Sequence, residues 1–375
     1  MTPRPPLSDE ERLDCLRLAR SERVGPVSFR QLLEHYGDAR AALEALPDLA
    51  RRGGKRGFRA ATRATAEKEW QALAGFGGTL VVLGEADYPA ALAALPDAPP
   101  VLSCKGALHL WQEPCVAMVG ARNASAAARK LATDFADVVS AAGYVVVSGL
   151  ARGVDACVHA ASLARGTVAV LAGGVDNIYP EDNTALYHKI AAEGLLVSER
   201  TWGAQPLARH FPRRNRIISG LALGVVVLEA AQRSGSLITA ARAAEQGREV
   251  MAAPGSPLDS RSIGSNNLIR DGAQLVQSGD DVLAVLRALK PPPMREPPQH
   301  PRTPQPKPAP PSDAERAAVL SLLSPVPVAV DELVRQAQLP LGKVLLILLE
   351  LELAGRLERG PGQEVSLLDG DTAAS

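Results

Sequence analysis

Between Cys115 and Val276, short runs of β-branched residues alternate with helical patterns, and no other feature restricts the fold so much. Strand–helix repetition buries its apolar surface best as a mostly parallel sheet with helices on both faces. The fold class read from it is α/β, with a mostly parallel sheet core. Strands are expected at 115–121, 144–148, 167–172, 195–199, 224–229, 249–253 and 273–277. Helices are expected at 125–142, 155–164, 183–192, 213–222, 236–247, 264–271 and 280–290. Val145-Val146-Val147 and Val225-Val226-Val227-Leu228 are apolar at successive positions, as a sheet covered on both faces requires.

Nearly every strand-to-helix junction carries glycine, serine or arginine. In such a sheet the ligand site lies at the carboxyl ends of the strands. Glycine lets a phosphate approach the backbone, helix N-termini offer N–H donors, and arginine brings a fixed charge. The candidates are Gly120, Arg122 and Ser125 after the first strand, and Ser148, Gly149, Arg152 and Gly153 after the second. Asp155 is placed to cap the helix that follows. Phe211, Arg213, Arg214, Asn215 and Arg216 head a later helix, and Ser234, Gly235 and Ser236 open another. Cations beside an aromatic ring suit single-stranded nucleic acid, which needs charge for its backbone and a flat face for its bases. Phe211 taken alone is more often a core residue than a stacking platform, so the arginines come first. Tight turns alone explain any single glycine. It is their repetition at adjacent strand ends that points to a phosphate chain.

The net charge is zero, but local clusters set the field that a ligand meets. Arg51, Arg52, Lys55, Arg56 and Arg59 form one cluster without an acid among them, and Arg209 to Arg216 another. The first reads either as a solvated face or as a nucleic-acid contact. Residues 1–75 read as a small helical domain of helix-hairpin-helix or SAM-like type, with Ser28 a possible cap and Val24-Gly25-Pro26 a tight turn. Residues 76–290 hold the sheet domain. Residues 291–311 contain 11 prolines and read as an extended linker. In 312–375 three helical patterns and a hairpin suggest a winged helix. Its third helix, around 341–353, holds Lys343 with Glu350 and Glu352, a poor composition for gripping duplex phosphates. Protein docking or self-association suits it better than DNA reading.

The four cysteines are scattered and form no Cys-x-x-Cys pair, so no disulfide framework, metal site or cofactor is expected. No apolar run reaches the roughly 20 residues of a membrane span, and a cytoplasmic protein without membrane contact is the reading. Nor is a close carboxylate pair or a nucleophile–base arrangement legible, so the chain is not expected to be an enzyme.

The ordered series Val119-Gly-Ala-Arg-Asn-Ala-Ser125, Ser148-Gly-Leu-Ala-Arg-Gly-Val-Asp155, Tyr179-Pro180, Phe211-Pro-Arg-Arg-Asn-Arg-Ile-Ile218, Ser234-Gly-Ser-Leu-Ile-Thr-Ala240 and Gly264-Ser-Asn-Asn-Leu-Ile269 resembles the DNA-processing protein A family (DprA, also called Smf). The resemblance implies an extended Rossmann-like domain that binds single-stranded DNA in a basic pocket, and a homodimer. It further implies loading of RecA recombinase onto strands coated with single-strand-binding protein, during natural transformation or recombination. Arg122, Ser148, Arg152 and Arg213–Arg216 would line that pocket. The alternative is a phosphoribohydrolase-like enzyme on the same type of sheet. Such enzymes carry Pro-Gly-Gly-x-Gly-Thr-x-x-Glu, whereas Arg233-Ser-Gly-Ser-Leu-Ile-Thr239 places threonine where the acid belongs.

Overall fold

A computed structural model describes residues 7–289 and 310–368, so the proline-rich segment read as a linker falls almost wholly outside the described residues. The chain divides into two compact units. One spans the sheet domain from Lys68 onward, and the other joins Leu7–Glu67 to the C-terminal residues.

The N-terminal helices are α1 (Asp9–Arg20), α2 (Pro26–Tyr36), α3 (Ala39–Arg52) and α4 (Arg63–Gly75). Ser8 and Glu11 close a reciprocal cap on α1, and Asp38 caps α3. Ser28 is not a cap. It lies fully buried inside α2, which starts instead on Gly25 with Pro26 in its first turn, where a missing N–H costs nothing.

The sheet domain runs β1 (Thr79–Val82), α5 (Ala90–Ala93), β2 (Val101–Gly106), β3 (Cys115–Val119), α6 (Ala126–Ala141), β4 (Val145–Ser148), α7 (Val154–Ser162) and β5 (Thr167–Val170). It continues through α8 (Thr184–Glu193), β6 (Leu195–Ser198), α9 (His210–Leu221), β7 (Gly224–Val227), α10 (Gly235–Glu245), β8 (Glu249–Ala252), α11 (Ile263–Arg270), β9 (Gln274–Leu275) and α12 (Gly279–Ala288). Nine strands pair in the order β1-β2-β6-β5-β4-β3-β7-β8-β9. From β6 to β9 every pairing is parallel, while β1 and β2 add an antiparallel edge beside β6.

Alternation along the strands divides the core in two. Cys115, Ala117, Val119, Val145, Val147, Val225 and Val227 face one layer, where Ile217, Ile218 and Leu221 of α9 and Ala240 and Ala243 of α10 cover them. Val116, Met118, Val146, Val226 and Leu228 face the other, beneath Phe135 and Val139 of α6 and Val282 and Leu286 of α12. Each such valine or leucine withdrawn from water contributes roughly 1.5–3 kcal/mol. The chain leaves β3 for β4 on one side and later returns to β7 on the other. The sheet's direction of travel therefore reverses at β3 and β7, and their carboxyl ends open a crevice.

The C-terminal residues form α13 (Asp313–Ser321), β10 (Val328–Ala329), α14 (Val330–Ala337), α15 (Leu341–Leu353), β11 (Leu357–Arg359) and β12 (Glu364–Leu367), with strand order β10-β12-β11. Three helices and a small antiparallel sheet make a winged helix. Its third helix, α15, packs against α3 of the N-terminal helices. The helix of the module that sequence read as protein docking or self-association thus meets the chain's own α3.

Candidate nucleic-acid interface

A cavity of about 810 Å³ opens at the β3–β7 crevice. It gathers the turn after β3, the turn after β4, the start of α9 and the start of α10. Sequence-predicted residues on its wall are Gly120, Arg122, Phe211, Arg214, Asn215, Ser234, Gly235 and Ser236. The exposed Arg122 lays its guanidinium 4.8 Å from the centroid of the Phe211 ring, and Arg214 approaches the same ring at 5.9 Å. Tyr179 leans on Phe211 at 5.7 Å. Phe211 therefore carries a cation on its ring, which the sequence left between a core role and a stacking one.

The turn after β4 is held rigidly from two sides. Leu150 sits there at φ 56°, a left-handed conformation costly for a branched residue, and is fully buried. Asn183 Nδ2 donates to the carbonyls of Leu150 and Ala151 at 2.9 and 3.1 Å. The Asp155 carboxylate accepts from Gly149 N at 3.2 Å and Ala151 N at 3.3 Å. Asp155 is thus not the N-cap of α7, which is Gly153; it reaches back and ties down the preceding turn. Burial raises the Asp155 pKa, against the pull of Arg214 and these two N–H donors.

Arg214 is a wall of the cavity rather than a free arm. It is 7% exposed, and its Nη1 donates to the Val170 carbonyl at 2.5 Å. Burial lowers its pKa to about 10, with Asp155 opposing the shift. Gly149 is needed for its passage, since a Cβ there would lie 2.0 Å from Arg214 Nη1. Gly120 and Gly153 likewise serve packing. A Cβ on Gly120 would meet Val154 at 2.5 Å, and Gly153, at φ 78°, crosses the Ala121 carbonyl.

Several candidates sit elsewhere. Arg216, 7% exposed, pairs with Glu199 at 2.5 Å and bonds the Asp97 carbonyl, so its charge is spent on the fold. Ser148 is fully buried and donates to the Met118 carbonyl at 2.7 Å. Ser125 caps α6, and its N and Oγ both donate to Glu229, at 3.1 and 2.6 Å. The anion that the start of α6 attracts is the chain's own carboxylate. Arg152 is exposed and faces Asp182 at 3.5 Å, and the exposed Arg213 is not on the cavity wall. Helix α9 begins at His210, three residues before its sequence-predicted start, so these arginines lie within the helix and face several ways.

Two further wall arginines were not among the sequence-predicted contacts: Arg233, exposed beside Ser234 in a junction that the sequence did single out, and Arg261, which is tied to Asp259 at 2.8 Å. Arg261 lies in the junction after β8, where the same rule applied more widely would have found it. His159 on α7 is buried, bonds Thr167 Oγ1 at 2.7 Å, and burial lowers its pKa to about 3. Among the described residues no cluster of His, Cys, Asp or Glu is arranged to hold a metal, and no helix is long and apolar enough to cross a membrane.

An extended Rossmann-like domain with arginines and glycine-bearing turns around a cavity at its switch point defines a class of α/β proteins whose ligand site lies at the strand ends. Residues 79–287 match the family model for DNA recombination-mediator protein A. Residues 9–72 match a DprA-like N-terminal HHH domain, and 303–363 a DprA winged helix domain. The chain belongs to the DNA recombination-mediator protein A (DprA/Smf) family. It is 48% identical over 201 residues to DNA processing protein DprA of Streptococcus pneumoniae, covering 52% of this chain and 70% of the relative. The X-ray structure of DNA processing protein A from that organism superposes with TM-score 0.61 at 37% identity, over 75% of this chain and 98% of that one. A structure of DNA processing protein A from Helicobacter pylori, described for its single-stranded DNA binding mode, superposes with TM-score 0.52 at 28% identity, over 56% of this chain and 96% of that one.

Proposed function

We propose that this chain binds single-stranded DNA in the β3–β7 cavity and acts, without catalysis, as a recombination mediator that protects the strand and loads RecA recombinase onto it. The observation that carries the reading is the stacked pair of Arg122 and Phe211 beside Arg233 and the Ser234–Ser236 turn. These groups offer cations and short polar side chains to a phosphate chain in one open site. The H. pylori relative's described single-stranded DNA binding supports the choice of ligand. Homodimer formation, a contact with single-strand-binding protein and a cytoplasmic setting belong to the same proposal.

A loading assay tests the role. RecA is mixed with single strands already coated by single-strand-binding protein, and its DNA-dependent ATP hydrolysis is followed. Addition of this protein should shorten the lag, and the Arg122→Ala variant should do so far less. An unchanged lag would remove the mediator role while leaving DNA binding to be judged separately.

The phosphoribohydrolase-like reading gains little from the site. Thr239 is buried on the cavity wall where a carboxylate would be required, and Asp155 is engaged with two backbone N–H groups. Release of free base from nucleoside monophosphates would restore it.

A further inference from the structure

The docked terminal helices bring together cations that sequence had kept apart. Arg356, exposed after α15, donates to the Gly53 carbonyl at 3.3 Å and lies 3.5 Å from where a Gly54 side chain would begin. Arg23, in the turn between α1 and α2, lies against Gly355, its guanidinium carbon 2.2 Å from the position a Cβ would take. Arg52 ends α3, with Arg56 and Arg59 exposed just beyond it.

Four carboxylates close to this group are already committed. Glu350, 1% exposed, takes a fork from Arg316 at 2.7 and 2.9 Å, and Arg52 stands 3.9 Å away. Glu22 is shared between Lys55 and Arg23. Asp48 and Glu352 each hold an arginine of their own, Arg51 and Arg359. The junction gathers more positive charge than its acids neutralise, and like charges held together repel until a counterion arrives.

We infer that this junction is a second polyanion site, which takes the phosphodiester backbone of a polynucleotide through Arg23, Arg52, Arg56 and Arg356. Arginine predominates, and its planar fork matches phosphate oxygens in pairs. Side chains make the grip, because the N–H groups of Gly54 and Lys55 are spent on closing α3. An acidic protein segment fits less well. Protein interfaces are anchored by buried apolar or aromatic side chains, and the large exposed apolar residues of this unit, Val326 and Leu341, lie on other segments. The site stands apart from the cavity reading, since it uses the other compact unit.

Two variants of the full chain separate charge from geometry. Arg52→Ala/Arg356→Ala removes two contacts. Gly53→Ala removes no charge and suits the helical φ of −70° at that position, but its Cβ would fall 1.9 Å from the Glu350 carbonyl oxygen and so parts the docked helices. Binding of labelled single-stranded and duplex oligonucleotides, and of a labelled polyglutamate, is titrated against salt by fluorescence anisotropy. The double variant should bind at least one of them about tenfold more weakly at 0.1 M salt and lower the salt slope by about 1.4 for single strands or 1.8 for duplex. Gly53→Ala should weaken the same ligand, and both losses should persist on an Arg122→Ala background.

Unchanged affinity and slope in the double variant would overturn the inference. So would a loss confined to a polyglutamate probe, or complete loss of binding by Arg122→Ala alone. That last result would leave the cavity reading standing.

Discussion

The Arg122 guanidinium rests 4.8 Å from the centre of the Phe211 ring, so one exposed cation of the cavity wall is positioned by an aromatic from another element. The ring fixes the arginine's direction and leaves its outer N–H groups free for phosphate oxygens. Such a pair adds about 0.5–2 kcal/mol when partly desolvated. In a double-mutant cycle, Arg122→Ala and Phe211→Ala should therefore cost less binding energy together than the sum of the two alone. Strict additivity in anisotropy titrations would mean the ring does not position the arginine.

Arg216 and Arg122 should separate stability from binding. Arg216→Ala breaks the nearly buried ion pair to Glu199 and removes the donor to the Asp97 carbonyl, a loss of about 3–5 kcal/mol for a broken buried pair. Thermal unfolding should show a large fall in Tm. The exposed Arg122→Ala should unfold like the parent while binding DNA weakly. The reverse pattern would exchange their assigned roles.

Gly149→Ala tests whether Arg214 depends on the space beside that glycine. The added methyl falls on Arg214 Nη1, and overpacking a full site costs about 1–3 kcal/mol. Displacing Arg214 breaks its bond to Val170 and distorts the cavity wall. Both Tm and single-strand affinity should fall. A variant that kept both would show that the arginine repacks freely.

His159 gives the fold a pH dependence of definite sign. Its folded pKa, lowered to about 3, lies below the ordinary value of 6.5, so the unfolded chain binds the proton more readily. Its contribution is present above pH 6.5 and is lost as pH falls toward 3. The loss is about 1.4 kcal/mol per pH unit, or about 2 kcal/mol between pH 7 and pH 5. Asp155, whose pKa is raised by burial, acts in the opposite direction but is common to parent and variant. Urea unfolding of His159→Gln should show a flatter dependence than the parent over that range. Parallel curves would show that the histidine does not set it.

The parallel sheet and its switch point were legible because continuous valine runs and strand-end glycines follow from backbone geometry. The rule also brought Gly120, Arg122, Phe211 and Ser234–Ser236 to one wall. What each arginine of α9 does was not legible. Residues from Arg214 to Leu221 are buried in succession, so the helix shows no polar face by which to sort them. Nor could the sequence show Glu229 beneath Ser125, 104 residues away, or Arg356 on the Gly53 turn, because such pairs exist only after folding. An acid-free run of arginines in sequence says little about the acids that meet it in space. Lys55 finds Glu22, and Arg216 finds Glu199.

The salt dependence of single-stranded DNA binding, measured for the parent and for Arg122→Ala, tests the cavity most directly. A phosphate-gripping cavity predicts an affinity that falls steeply with salt, and a slope shallower by about 0.7 in the variant, as one lost phosphate contact requires. Identical slopes and affinities in the two proteins would contradict it.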